Sequence, residues 1–271
     1  MTRESASGTS TQAAARGYAP EAGSHAGRII LVTGASDGIG AALSLALARQ
    51  GATVALLGRT QRKLVRTYDR IVADGGPQPA LLPFNLETAA APEYEVLFDA
   101  IDREFGRLDG LAHVAGILGD LSPVEQYDVP TWCKVLHVNL TAAFLLTRTL
   151  LPLLRKSEDA SIAFTSSTVG RVGRAYWGAY AVSKFGTEGL MQVLAHEMAG
   201  TTRIRVNSLN PGPTRTAMRR KAFPAEDAAR LPEPDAIVAP YLYLLGPAGR
   251  TVNGESIDCQ ERPATPPPAA G

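Results

Sequence analysis

The apolar run Arg28-Ile-Ile-Leu-Val-Thr33 leads without interruption into Thr33-Gly34-Ala35-Ser36-Asp37-Gly38-Ile39-Gly40 and then into AALSLALARQ over 41–50. A strand-length apolar run, a glycine cluster and a helically periodic stretch read as strand, tight turn and helix. Gly34 can take the turn, Gly38 lacks the Cβ that would obstruct a pyrophosphate, and Gly40 lets the helix lie close to the strand. The helix amino terminus then offers free N–H groups and a positive dipole end to a phosphate. Glycine turns are common, and a plain turn is the bland alternative; the flanking strand and helix favour a dinucleotide site.

The same alternation continues along the chain. Strands are expected over 28–33, 53–57, 80–84, 110–114, 161–165, 204–209 and 255–258, and helices over 39–50, 61–74, 92–105, 131–154, 175–199 and 235–245. Near-continuous apolar strands separated by helices imply a parallel sheet covered on both faces. The expected fold is therefore α/β: one Rossmann-type, doubly wound domain of about seven strands over 27–260. With 271 residues, 45% of them hydrophobic, the chain can close one large core. Residues 1–26 are rich in Ala, Ser, Thr and Gly and read as a disordered tail without a signal-peptide core; 261–271 read as a Pro-rich tail.

A formal net charge of +1 argues against capture of nucleic acid or a membrane by bulk electrostatics and favours a small, locally recognised ligand. Cys133 and Cys259 have no metal-like spacing, so no metal site and no disulfide framework are expected, and a reducing, cytoplasmic setting follows.

The second strand ends Leu56-Leu57-Gly58-Arg59, with no carboxylate to accept ribose hydroxyls. Arg59 can pair with a 2′-phosphate, with Arg62 or Lys63 adding field, which favours NADP(H) over NAD; a solvated helix-start arginine is the alternative. Tyr180 and Lys184, four apart in a helical stretch, share one face. A neighbouring ammonium favours the phenolate, so Lys184 is expected to lower the Tyr180 pKa. Taken alone, such a pair is usually only a helix face. Upstream, the apolar 162–165 empties into Ser166 and Ser167, placing hydroxyls at a strand's carboxyl end, where open α/β sheets bind ligands.

The Gly-x3-Gly-x-Gly loop, the Tyr180-x3-Lys184 pair and Ser167 thirteen positions before Tyr180 together resemble the short-chain dehydrogenase/reductase family over about 27–260. Residues 164–171, Trp177-Gly-Ala-Tyr180 and Phe185 look like its bacterial YciK-type branch. The resemblance implies that Ser167 hydrogen-bonds the substrate oxygen, that Tyr180 is the general acid/base, and that Lys184 holds the nicotinamide ribose. It also implies that Asn139 helps carry a proton-relay water. For the cofactor it implies Gly34, Ser36, Asp37, Gly38, Ile39, Gly40 and Arg59 on the phosphate side, and Asn85, Leu86, Ala115 and Gly116 beyond them. Tyr180, Lys184, Pro211, Gly212 and Thr216 would lie around the nicotinamide.

Two positions depart from the family pattern: Val114 replaces its usual asparagine, and Asn85 stands where an aspartate is common. The function implied is NADP(H)-dependent hydride transfer to or from a small carbonyl or alcohol, with reduction the expected direction. Residues 116–121, 169–177 and a charged, irregular lid over 217–234 would wall the pocket. A non-catalytic NADP-binding regulator would not need the Ser, Tyr, Lys and Asn set, and an extended sugar-nucleotide epimerase would need more carboxy-terminal sequence. Helices 131–154 and 175–199 are apolar on more than one face, which suits a homodimer or homotetramer.

Overall fold

Alternate residues of a strand face opposite sides of its sheet, and in this protein both sides are apolar. The computed structural model describes residues 5–261. Its strands are β1 (Ile29–Thr33), β2 (Thr53–Gly58), β3 (Ala80–Pro83), β4 (Gly110–His113), β5 (Ala160–Thr165), β6 (Ile204–Asn210) and β7 (Ser256–Asp258). They form a seven-stranded, wholly parallel sheet in the order β3-β2-β1-β4-β5-β6-β7. The expected doubly wound fold is the observed one, with strand bounds within two residues of expectation.

The helices are α1 (Ser5–Arg16), α2 (Gly38–Arg49), α3 (Gln61–Ala73), α4 (Ala91–Phe105), α5 (Val129–Leu136), α6 (Ala142–Arg155), α7 (Gly178–Met198), α8 (Ala217–Ala222) and α9 (Ala239–Leu245). Ile30, Val32 and Leu56 pack with Leu43, Leu47 and Tyr241 on one face of the sheet. Leu31, Leu57, Ile162 and Phe164 pack with Leu146, Leu150 and Met191 on the other. Two-sided burial is why the strands lack the apolar–polar alternation of a half-exposed sheet.

Three expectations need correction. The stretch 1–26 is not a featureless tail in its described part. Within α1, Gln12 donates from Nε2 to the Ser256 carbonyl at 2.9 Å and accepts the Asp258 N–H at 2.9 Å, so one amide side chain pairs with edge strand β7. Ala15 is fully buried, Tyr18 meets Tyr243 edge-on at 5.5 Å, and His25 is buried with Nε2 3.1 Å from the Leu242 carbonyl oxygen. A few such contacts offset the chain entropy that composition alone leaves unopposed. The proline-rich end, 262–271, lies outside the described residues.

The single helix expected over 131–154 starts earlier, at Val129 with Pro130 inside its first turn, and carries a π-turn at His137–Thr141. Asp128 caps it by accepting the Thr131 N–H at 2.8 Å. Helix 129–155 is long and apolar enough to cross a membrane, but Leu146, Leu150, Leu153 and Leu154 are fully buried against the sheet, as in a core helix. Finally, the segment 217–234, expected as a charged, irregular lid, is less irregular than its composition suggests. It contains α8, capped by Thr216, whose hydroxyl accepts the Arg219 N–H at 3.1 Å.

Candidate active site

The strand order reverses direction between β1 and β4, and the loops leaving these two strands diverge there, opening a crevice at the sheet's carboxyl edge. The glycine loop forms one wall. Gly34 has φ +69° and Gly38 φ +51°, both left-handed, and a Cβ on Gly34 would lie 3.0 Å from the Ala115 Cα. A Cβ on Gly40 would lie 2.2 Å from the Gly34 carbonyl oxygen, so the close approach of α2 to β1 depends on glycine. Asp37 caps α2 by accepting the Gly38 N–H at 2.8 Å.

The crevice has a volume of about 800 Å³. Each cofactor position expected from sequence lines it: Gly34, Ser36, Asp37, Gly38, Ile39, Gly40, Arg59, Asn85, Leu86, Ala115, Gly116, Tyr180, Lys184, Pro211, Gly212 and Thr216, together with Ser167. Asn139 does not line it. Its Oδ1 accepts the Ile117 N–H at 2.8 Å, and its Nδ2 donates to the Ile117 carbonyl at 2.9 Å and to Ser183 Oγ at 3.0 Å. It sits in the π-turn and braces the loop after β4 from behind.

At the far end of the crevice, Ser167 follows β5 with extended backbone, and its hydroxyl hydrogen-bonds Tyr180 on the first turn of α7. Lys184 Nζ donates to the Thr165 carbonyl at 2.7 Å and lies 5.7 Å from the Tyr180 ring centre. Burial pushes the Tyr180 phenol up to about 12, partly opposed by the Ser167 hydrogen bond. The depression expected from Lys184 does not emerge: burial sets the direction, and the opposing influence is the Ser167 hydrogen bond. Burial also lowers Lys184 to about 8, against the pull of Glu188. Desolvation acts on both groups by disfavouring charge, which spacing along a helix does not reveal.

Val114 cannot brace β4 through its side chain, but its backbone can. The Thr33 hydroxyl accepts the N–H groups of Val114 at 2.9 Å and Ala115 at 3.0 Å and donates to the Ala112 carbonyl at 3.3 Å. Asn85 accepts the Glu87 N–H at 3.2 Å. Arg59 lies 3.4 Å from Glu87, whose other oxygen is 2.6 Å from Lys134. With that carboxylate shared between two cations and its own side chain 67% exposed, Arg59 keeps donors for a further anion.

Sequence reasoning did not single out Ser166 for a role. It is 1% exposed and lines the crevice, and its buried hydroxyl has no partner among the described residues. An orphaned hydroxyl in the crevice that the glycine loop also lines fits a bound polar group such as a dinucleotide. The apolar wall of Leu118, Val169, Trp177, Met218 and Ala222 also depends on packing between distant segments, which no local pattern shows. Among the described residues there is no cluster of metal-ligating side chains.

The model of the family described as short chain dehydrogenase matches residues 28–227. An oxidoreductase of Escherichia coli K12, YciK, is 50% identical over 233 residues, covering 86% of this chain and 92% of that protein. A short chain dehydrogenase from E. coli CFT073 complexed with NADPH superposes with a TM-score of 0.87 at 49% identity, covering 89% of this chain and 100% of the other. One from Shigella flexneri 2a complexed with NADP gives a TM-score of 0.85 at 49% identity, covering 87% and 98%.

Proposed function

The chain belongs to the short-chain dehydrogenase family of oxidoreductases, and on that premise we propose that it is an NADP(H)-dependent enzyme that reduces a small carbonyl compound or oxidises the corresponding alcohol. One observation carries the reading. Tyr180, Ser167 and Lys184 meet at the end of the same crevice whose other wall is the glycine loop. The NADP and NADPH complexes of the two similar structures support the choice of cofactor, as does Arg59 at the end of β2.

When bound, NADP(H) supplies or accepts the hydride. The protein's own groups handle the oxygen and its proton. Ser167 Oγ donates a hydrogen bond to the substrate oxygen, and Tyr180 Oη delivers its proton to that oxygen in reduction or removes it in oxidation. Burial keeps the phenol protonated at neutral pH, which suits it to act as the acid in reduction. Lys184, anchored on the Thr165 carbonyl, has ammonium donors left for the ribose and stabilises negative charge as it develops on the phenol. Asn139 positions the loop carrying Ile117 rather than touching the reacting atoms.

The same reading places the enzyme in the cytoplasm as a homodimer or homotetramer, supported by exposed Phe144 on α6 and Phe185 and Val193 on α7. The test is a screen of aldehydes and ketones for NADPH and NADH oxidation, repeated with deuterium at the nicotinamide C4. NADPH preference and a deuterium atom on the product carbinol carbon are expected. Equal use of NADH would overturn the cofactor assignment, and absence of label would overturn the reaction.

A further inference from the structure

The charges lining the crevice are unevenly distributed. Its carboxylates, Asp37 and Glu87, both lie on the glycine-loop and β3 side, where Asp37 meets Lys63 and Glu87 meets Arg59 and Lys134. Among the described residues no carboxylate lines the other half, around Ser167 and Tyr180. The cations there are Lys184, Arg219 and Arg174. Lys184 is buried and anchored at the reacting end, and Arg219 is held by both oxygens of Glu226, each at 2.6 Å. Arg174 has no ion pair among the described residues; its guanidinium only approaches the Phe223 ring, 5.9 Å from the centre.

Arg174 stands on a well-held loop. Upstream, Arg171 is fixed by Glu188 at 3.2 Å and Asp258 at 2.7 Å. Downstream, Trp177 donates its N–H to the Arg174 carbonyl at 3.2 Å and packs between Tyr180 and Phe223, with ring centres 5.7 and 5.8 Å away. Tyr176 has φ +72°, the one left-handed conformation outside glycine among the described residues. An exposed guanidinium with no ion pair among the described residues, on a loop anchored at Arg171 and Trp177 and beside a wall of Leu118, Val169, Trp177 and Met218, is suited to bidentate recognition of one carboxylate on an otherwise apolar molecule.

From this geometry we infer that the substrate is a carbonyl compound, or its alcohol, with an apolar body and a carboxylate received by Arg174. The inference rests on the oxidoreductase reading for the reaction but not for the anion site. A monoanion matches the single free guanidinium, whereas a phosphate dianion would bring more charge into the apolar pocket than Arg174 can offset.

The test measures benzoate and benzamide binding to the enzyme–NADP⁺ complex by calorimetry, in the native protein, Arg174→Gln and Arg174→Lys. Benzoate should bind about tenfold more tightly than benzamide to the native protein, for a charge-assisted pair that keeps some solvent. The preference should vanish in Arg174→Gln and partly return in Arg174→Lys, with the NADPH dissociation constant unchanged in both. Equal binding of acid and amide, a preference that survives Arg174→Gln, or no benzoate binding overturns the inference. The outcomes also separate it from the enzymatic reading. Turnover of neutral carbonyls without acid preference removes the anion site and leaves the enzyme; Arg174-dependent benzoate binding without carbonyl reduction does the reverse.

Discussion

Replacing Lys184 with methionine should stabilise the cofactor-free protein at neutral pH while removing its activity. The ammonium is 4% exposed, and burial lowers its pKa from 10.5 to about 8 even with Glu188 opposing the shift. At ~1.4 kcal/mol per pH unit, that depression corresponds to ~3 kcal/mol held against folding at pH 7. Methionine removes the charge at similar volume but leaves the Thr165 carbonyl without its donor, which costs about 1–2 kcal/mol. The variant should therefore be more stable at pH 7 by about 1–2 kcal/mol, the difference between these two effects. The pH dependence has a definite sign. Between about 8 and 10.5 the unfolded chain keeps a proton that the folded protein has lost, so the contribution of Lys184 to native stability rises with pH through that window. Tyr180 and Cys259, whose pKa values burial raises, act in the opposite direction once their unfolded counterparts ionise near pH 9 to 10, in the native protein and the variant alike. The variant lacks the rise from Lys184, and its advantage should disappear by about pH 10.5. Urea unfolding of both proteins at pH 7 and pH 10 measures the difference. A variant less stable than the native protein at pH 7, with the same change between the two pH values, would refute the reasoning.

Gly40→Ala places a methyl 2.2 Å from a backbone oxygen rather than a flexible side chain, so α2 must move off β1. A loss of stability at or above the ~1–3 kcal/mol typical of overpacking is expected, together with weakened NADPH binding, read by denaturation and by fluorescence titration. Arg59→Leu should weaken NADPH binding by roughly 10- to 100-fold, the loss of one or two charge-assisted hydrogen bonds, and leave NADH binding nearly unchanged. An equal effect on both cofactors would mean that Arg59 does not contact the 2′-phosphate.

The readability of the sequence follows the range of the interactions. The glycine loop was legible because its requirements act within seven residues: Gly40 must clear the carbonyl of Gly34, and both belong to one local pattern. That Tyr180, Lys184 and Ser167 lie together was suggested by a spacing that resembles the family's, since the Tyr180-Lys184 pair by itself marks only a helix face. The direction of the Tyr180 shift was not legible, because it depends on burial produced by Leu118, Val169 and Trp177 from separate segments. Helix α1 was missed because its composition is weakly apolar, and what holds it is one buried alanine and one amide meeting β7 more than 240 residues away. Asn139 was assigned through the family pattern, yet its partners, Ile117 and Ser183, could be identified only from the folded chain. The brace from Thr33 to Val114 is similar. A missing side-chain amide is visible in the sequence, whereas a hydroxyl from the neighbouring strand end is visible only after β1 and β4 pair.

Tyr180 is proposed to handle the transferred proton through its hydroxyl, in a crevice that holds the cofactor mainly through other groups. The most direct test of this central claim measures, in Tyr180→Phe, the NADPH dissociation constant beside the rate of carbonyl reduction. Loss of the hydroxyl should lower turnover by at least ~10²-fold, the usual contribution of general acid catalysis, with the dissociation constant essentially unchanged. Turnover retained with the phenylalanine side chain in place would contradict the account.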